Sequence, residues 1–302
     1  MTRYVAGIDG GQTSTAAVIG DERGRVVGRG VAGPADEVGQ GADSTRMHDA
    51  LSGALRAACK EAGLDADAHF EAIVAGVSGY EGRVYGKVPE LSATRFVLMH
   101  DAPIAHAGAL AGEAGVVVIA GTGSVVYATD GKEGWTLGGW GYLFGDEGSA
   151  FWLAREALAS LMHAQDIGVA APDDVRRACE FFDLPSLRAI ARAFYAGELT
   201  RDRIAAFASV DVQSGRSWSD VTFAATKLSW LVREAILRGA PARVTLVGGM
   251  FNDSDFAATV AERIENDRRG TEIVVPKYDP AVGALILAYR EAGISGIEIA
   301  VR

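Results

Sequence analysis

Apolar and polar positions first fall into short strand-like runs. Residues 4–8, 15–20 and 25–31 are apolar-rich and separated by glycine and polar turn residues, which predicts a β-meander. Residues 46–63 change to helical spacing with many Ala and Leu, and the strand candidates 72–77 and 95–99 follow, then a helix near 103–113. Val116-Val117-Val118-Ile119-Ala120 starts the same programme again: a strand, the turn 121–124, a strand at 125–128 and the turn 130–134. The two strand–turn–strand copies stand roughly 110 residues apart. From 146 to about 240 the pattern is almost wholly helical, and a strand at 244–247, a helix at 255–266, a strand at 272–275 and a helix at 281–292 complete the chain. This order predicts an α/β protein with mixed sheets covered by helices.

Composition narrows the field. At 302 residues, 49% hydrophobic, the chain can bury a substantial core and is long enough for two domains. Its formal charge, 29 − 39 = −10, leaves no cationic surplus for a nucleic-acid backbone or an anionic membrane surface, so neither partner is expected. Cys59 and Cys179, far apart in helix-like contexts, predict a reducing compartment with no disulfide framework. No signal-type segment opens the sequence and no run reaches the ~18 apolar residues of a membrane span, so a cytoplasmic location is expected.

Three glycine turns carry the candidate chemistry. In Ile8-Asp9-Gly10-Gly11-Gln12-Thr13-Ser14-Thr15, a carboxylate and paired glycines occupy a hairpin tip. Glycines let backbone amides approach a phosphate, the hydroxyls of Thr13, Ser14 and Thr15 can donate to it, and Asp9 can hold Mg²⁺ through water. Asp-Gly-Gly equally serves an ordinary type I′ turn. Gly121-Thr122-Gly123-Ser124 could likewise be a tight hairpin, and Gly248-Gly249 a close-packed strand-to-helix turn. Together the three offer donors on two loops and a side-chain-free surface for an adenine.

On these turns the chain resembles the sugar-kinase branch of the actin, Hsp70 and hexokinase-like ATPases, closest to the group holding N-acetylglucosamine kinase and the BadF-type ATPases. Gly7–Thr13 matches the first phosphate loop, Ala120–Ser124 the second, and Val247-Gly248-Gly249-Met250-Phe251 the adenosine loop. Gly138-Gly139-Trp140-Gly141-Tyr142, then Gly145-Asp146-Glu147-Gly148-Ser149-Ala150, and the late Pro280-Ala281-Val282-Gly283-Ala284 extend the match from residue 4 to about 288. The resemblance implies a two-lobed actin-like ATPase (ribonuclease H-like) fold, each lobe a mixed five-stranded sheet flanked by helices. The first lobe spans 1–113, with a C-terminal helix at about 281–302 packing back on it. The second spans 114–280, with a helical insertion at about 149–240. ATP and Mg²⁺ are the implied cofactors. ATP lies on Gly10, Gly11, Gln12 and Thr13, on Gly121, Thr122, Gly123 and Ser124, and on Gly248, Gly249 and Phe251. A small-molecule sugar is the implied substrate, and homodimers are frequent among such proteins.

Asp101 follows the strand-like Phe96-Val97-Leu98-Met99-His100, so its carboxylate projects at a strand's C-terminal end, where open α/β sheets place ligands. The resemblance puts the family's general base on Asp101; it could also cap the helix beginning near Pro103. Strand alternation turns His100 to the opposite face as a packing residue. The resemblance further assigns sugar contacts to Ser78, Gly79, Gly139 and Asp146, and faces Thr122 to the acceptor hydroxyl or the γ-phosphate. Asp146 or Glu147 could instead favour the positive end of the helix from Ser149. The rings of Trp140 and Tyr142 could flank the sugar or pack.

N-acetylglucosamine kinases carry an Asn after the third strand, whereas Gly33-Pro34-Ala35-Asp36-Glu37 has none. A carboxylate at Asp36 or Glu37 pairs better with a charged 2-amino group than with an acetamide, which tilts the expected substrate towards glucosamine. Two other functions remain on the same fold: a BadF-type ATP-driven activator with an iron–sulfur cluster, for which Cys59 and Cys179 do not resemble the ligand motif, and a non-catalytic sugar sensor, which would be expected to have lost Asp101. The aromatic set Phe181, Phe182, Phe194, Tyr195, Phe207, Trp218 and Trp230 could form core, a dimer surface or a sugar-side wall, and core of the helical region is the expectation.

Overall fold

The computed structural model describes residues 2–37, 39–213 and 218–300, with the side chains of 211–213 and 218–219, Trp218 among them, outside the description. In chain order the first elements are β1 (Tyr4–Gly10), β2 (Thr15–Asp21), β3 (Val26–Ala32), α1 (Arg46–Ala62), β4 (Phe70–Val77), β5 (Ala93–His100) and α2 (Asp101–Ala109). Then come β6 (Gly115–Ala120), β7 (Ser124–Thr129), β8 (Gly134–Gly138) and the helices α3 (Ala150–Asp166), α4 (Pro172–Phe182), α5 (Leu187–Tyr195), α6 (Arg201–Ala205), α7 (Ala208–Gln213) and α8 (Trp218–Leu237). The chain ends with β9 (Arg243–Val247), a 3₁₀ turn at Gly249–Asn252, α9 (Ser254–Asp267), β10 (Glu272–Val274) and α10 (Pro280–Glu291). β8 is an addition to the expected strands; its glycine-flanked Trp135-Thr136-Leu137 is too short to show a period.

Each sheet has five strands, in the orders β3-β2-β1-β4-β5 and β10-β9-β6-β7-β8. Written from its own first strand outward, the second repeats the first. β1 pairs antiparallel with β2 and parallel with β4, and β4 runs parallel to β5. The chain separates into two compact units, one of residues 1–117, 131–134 and 275–302, the other of 118–130 and 135–274.

In the first unit, strand alternation sorts side chains to the two sheet faces. Ala6, Ile8, Ala17, Ile19 and Ile73 pack with Met47, Leu51 and Leu55 of α1, while Val5, Val18, Ala72 and Val74 pack with Val282 and Leu285 of α10. Fully burying each large aliphatic side chain stabilises the fold by about 1.5–3 kcal/mol. Glycines set how closely the helices approach. A Cβ on Gly30 would overlap the Ala54 carbonyl of α1, and one on Gly7 would overlap the Leu285 amide and lie 2.5 Å from the Ala281 oxygen of α10. Gly7→Ala therefore pushes α10 off β1. We expect a loss of ~3 kcal/mol, a Tm lower by roughly 6–10 °C in a thermal melt, and unchanged melting would show that this contact yields.

α2 is anchored by His106, whose Nε2 donates to the Gly115 carbonyl at 3.1 Å; burial lowers its pKa to about 4, so the imidazole stays neutral. In the second unit, Phe181, Phe182 and Phe207 pack edge-on and tilted at 4.8–5.4 Å, a local core for the helical region. Tyr195 and Trp230 are exposed rather than core. No described helix is long and apolar enough to cross a membrane.

Candidate active site

The first unit gathers its chemistry at the C-terminal ends of its parallel strands. Register places Asp9 of β1 beside Gly76 of β4, and Val77 beside His100 of β5, so Asp9, Ser78 and Asp101 emerge along one sheet edge. Ser78 N–H donates to the Gly10 carbonyl at 2.9 Å and Ala35 N–H to the Gly11 carbonyl at 3.0 Å. These bonds tie the turn after β4 and the segment after β3 to the Gly10-Gly11 hairpin. Gly10 has room for no side chain: a Cβ would meet Ala35 Cβ at 2.9 Å. Gln12, Thr13 and Ser14 are exposed. Thr15 is not available to a phosphate, because its hydroxyl is buried and donates to the Gly33 carbonyl at 2.8 Å.

Asp101 does not cap a helix. It is the first residue of α2, and His100 occupies the cap position. His100 is not turned away from it either, since the strand ends there: its Nδ1 lies 2.9 Å from Asp101 Oδ1. The Ala102 amide also reaches Nδ1, at 3.2 Å, but one nitrogen cannot donate to a carboxylate and accept an amide at once. The shorter contact, to a charged group, decides for a proton on Nδ1, and the bond to Asp101 holds the His100 pKa above its ordinary value.

Asp9 faces other carboxylates. Burial foremost, then the charges of Asp101 and Asp279, push its pKa up to about 7. Asp279 was missing from the sequence reading of the site. It caps α10, accepting from Val282 N–H at 2.8 Å, and pairs with Arg29 at 3.3 Å. Its position before Pro280 is the cap signature that marks it in the sequence. Among the described residues no group of three or more His, Cys, Asp or Glu is arranged to hold a metal ion directly.

The segment after β3 serves as a brace. Glu37 Oε2 accepts from the amides of Tyr85 and Gly86 at 2.9 and 3.3 Å, which binds it to the 80–90 loop, while its buried Oε1 has no hydrogen-bond partner among the described residues. Asp36 is buried beside it and Gly79 is exposed with a left-handed backbone, φ 75°.

The second unit assembles the other two turns. Gly248, φ 113°, lies so close to β6 that a Cβ would overlap the Ala120 carbonyl, which sets the 248–251 turn against the strand leading into 121–124. No described atom lies within 4 Å of a Cβ built on Gly121 or Gly249, and Phe251 packs on Phe256 at 5.6 Å. Amides from the start of α3 hold the loop: Ala150 N–H donates to the Gly121 carbonyl at 2.8 Å and Phe151 N–H to that of half-buried Thr122 at 3.4 Å. The Ser124 hydroxyl donates to the Glu147 carbonyl at 2.8 Å and its amide donates to Asp146, so neither donor is left for a ligand.

Asp146, buried and with φ 59°, accepts from the Ser124 and Gly141 amides and from Arg201 Nη2 at 2.6 Å. Burial nevertheless leaves its pKa above the ordinary value. Gly139, φ 69°, has no space for a Cβ beside Val125. Tyr142 is a packing residue, edge-on to Phe151 at 5.1 Å, whereas Trp140 is 77% exposed. Cys59 is buried in the core of the first unit and half-buried Cys179 is on α4 in the second.

Two mixed five-stranded sheets of like strand order, flanked by helices, define the actin-like ATPase and sugar-kinase fold. Within that class the chain belongs to the BadF/BadG/BcrA/BcrD ATPase family, whose pattern matches residues 6–288. It is 27% identical over 212 residues, 65% of this chain and 68% of the relative, to the N-acetylmuramic acid/N-acetylglucosamine kinase of Clostridium acetobutylicum. Among solved structures, a protein of Chromobacterium violaceum provisionally described as an N-acetylglucosamine kinase is 26% identical, with a TM-score of 0.74 over 95% of this chain and 99% of that one. The ROK hexokinase of Thermus thermophilus, 21% identical, shares the fold with a TM-score of 0.52 over 96% and 99%.

Proposed function

We propose that this protein is an ATP-dependent kinase for amino sugars, transferring the γ-phosphoryl group to the 6-hydroxyl of glucosamine or N-acetylglucosamine with Asp101 as general base. The observation that carries it is the convergence of Asp9, Ser78 and Asp101 with the Gly10-Gly11 backbone on one sheet edge. The names of the relatives above support the sugar class.

Phosphoryl transfer asks the protein mainly for alignment, charge stabilisation and a proton acceptor. Asp101 Oδ2 accepts the 6-hydroxyl proton while Oδ1 stays bonded to His100, which fixes the carboxylate plane. Backbone amides of Gln12, Thr13, Thr122 and Gly123 in the two turns hold the phosphates, and Gly248, Gly249 and Phe251 hold the adenosine. Ser78 and Gly79 orient the sugar, with Gly139 and Asp146 as further contacts and Thr122 turned to the transferring group. The raised pKa of Asp9, caused by burial and like charge, fits a nearby divalent cation held through water, because such a cation relieves that repulsion. Bound Mg²⁺ supplies charge neutralisation for the phosphates.

Glu37 Oε1, buried and with no partner among the described residues, favours a cationic 2-amino group, with Asp36 adding charge beside it. This extends the glucosamine tilt, although Glu37 Oε2 is committed to the 80–90 loop. A coupled assay of ADP release with glucosamine, N-acetylglucosamine and glucose tests both levels. Sugar-dependent release is expected, with kcat/KM highest for glucosamine. Release independent of any sugar would overturn the kinase reading, and a tenfold preference for the acetylated sugar would overturn the glucosamine preference alone. We also expect a homodimer, which sedimentation would show.

A further inference from the structure

The helical region supplies a cation to the second phosphate loop. Arg201 opens α6, and its side chain, 30% exposed, reaches back to Gly123: a Cβ on that glycine would lie 2.6 Å from Arg201 Nη2 and 2.9 Å from Asp146 Oδ2. The guanidinium is held in place from several sides. Nη2 bonds Asp146 at 2.6 Å, and the Tyr142 and Phe151 rings sit 5.4 and 5.9 Å from the guanidinium carbon. Yet the group is not satisfied, because Nε is buried with no hydrogen-bond partner among the described residues. Leaving such a donor unpaired is costly to the fold. Arg203, two residues on, contrasts with it: that guanidinium bonds the Phe181 carbonyl and covers the Phe181 ring, a purely structural use. A buried pair that served stability alone would be replaced by apolar residues at little cost. A fork of donors, pre-oriented by a carboxylate and two rings beside a glycine-cornered loop, is instead the arrangement that receives an anionic oxygen.

We infer that Arg201 is a phosphate-binding residue, contributing its guanidinium to the terminal phosphates of a nucleotide held on the 121–124 loop, with Asp146 as the residue that positions it. The inference rests on the nucleotide site proposed above. It also gives the helical region a role, since α6 brings the cation to the loop.

The test is titration calorimetry of ATP, ADP and AMP with Mg²⁺ on the wild type, Arg201→Gln, Arg201→Lys and the double variant Arg201→Gln/Asp146→Asn, with melting curves for all four. In Arg201→Gln, Kd for ATP and ADP should rise 10–100-fold while that for AMP changes less than threefold, and lysine should restore part of the loss. The double variant leaves no buried carboxylate unpaired, so it keeps the measurement available if the single variant melts early. ATP affinity within threefold of wild type in a folded variant, or an equal loss for all three nucleotides, overturns the role of Arg201 and leaves the kinase reading standing. A wild type that binds none of the nucleotides overturns both.

Discussion

Asp101→Asn is expected to lower kcat by ~10²–10⁴ while leaving the Kd for ATP within about threefold of wild type. The asparagine amide keeps the shape of the carboxylate, and its oxygen can still take the His100 Nδ1 proton, so the start of α2 stays in place. What is lost is a basic oxygen for the attacking hydroxyl. Steady-state kinetics with saturating sugar, paired with calorimetric ATP binding, separates this from a folding defect. A variant with most of its turnover intact would remove Asp101 from the role of base.

Asp9→Asn should act in opposite directions on activity and on stability. The folded-state pKa of Asp9 is raised from 3.8 to about 7, so the unfolded chain gives up this proton at lower pH than the folded one does. Ionising Asp9 therefore weakens the fold progressively as pH rises from about 4 to about 7, and the full penalty applies above that. Asparagine resembles the neutral carboxyl. The variant should gain ~1–3 kcal/mol at pH 8 and almost nothing near pH 4, visible as a Tm difference that grows with pH. Its kcat should fall at least ~10²-fold, because the group proposed to hold the hydrated metal is gone, and Mg²⁺ should no longer raise the melting point of the ATP complex. A variant less stable than wild type at pH 8 would show that Asp9 supports the fold rather than straining it.

Much of this architecture was legible in the order of residues. Strand alternation in 4–8 and 15–20, helical spacing in 46–63 and the return of strand, glycine turn and strand after 115 are local patterns, set by side-chain period and turn chemistry. They suffice for two sheets covered by helices. The three glycine turns could be read for the same reason, since a backbone that must approach another group closely admits no other residue, as Gly10 and Gly248 show. Local reading failed where a side chain's partner comes from elsewhere. Thr15 and Ser124 stand among phosphate-loop hydroxyls in the sequence but donate to carbonyls of Gly33 and Glu147. His100 was placed on the wrong face because alternation holds only while the strand lasts, and α2 begins one residue later.

The sequence by itself determined the elements, their repeated order and the positions of the tight turns, because propensity, periodicity and glycine geometry act over a few residues. Tertiary structure alone decided which charges meet. Asp279 stands 270 positions after Asp9 and raises its pKa, and Arg201 stands 55 positions after the Asp146 that orients it. Electrostatic energy depends on distance in space and on burial, and neither is written in the order of the residues.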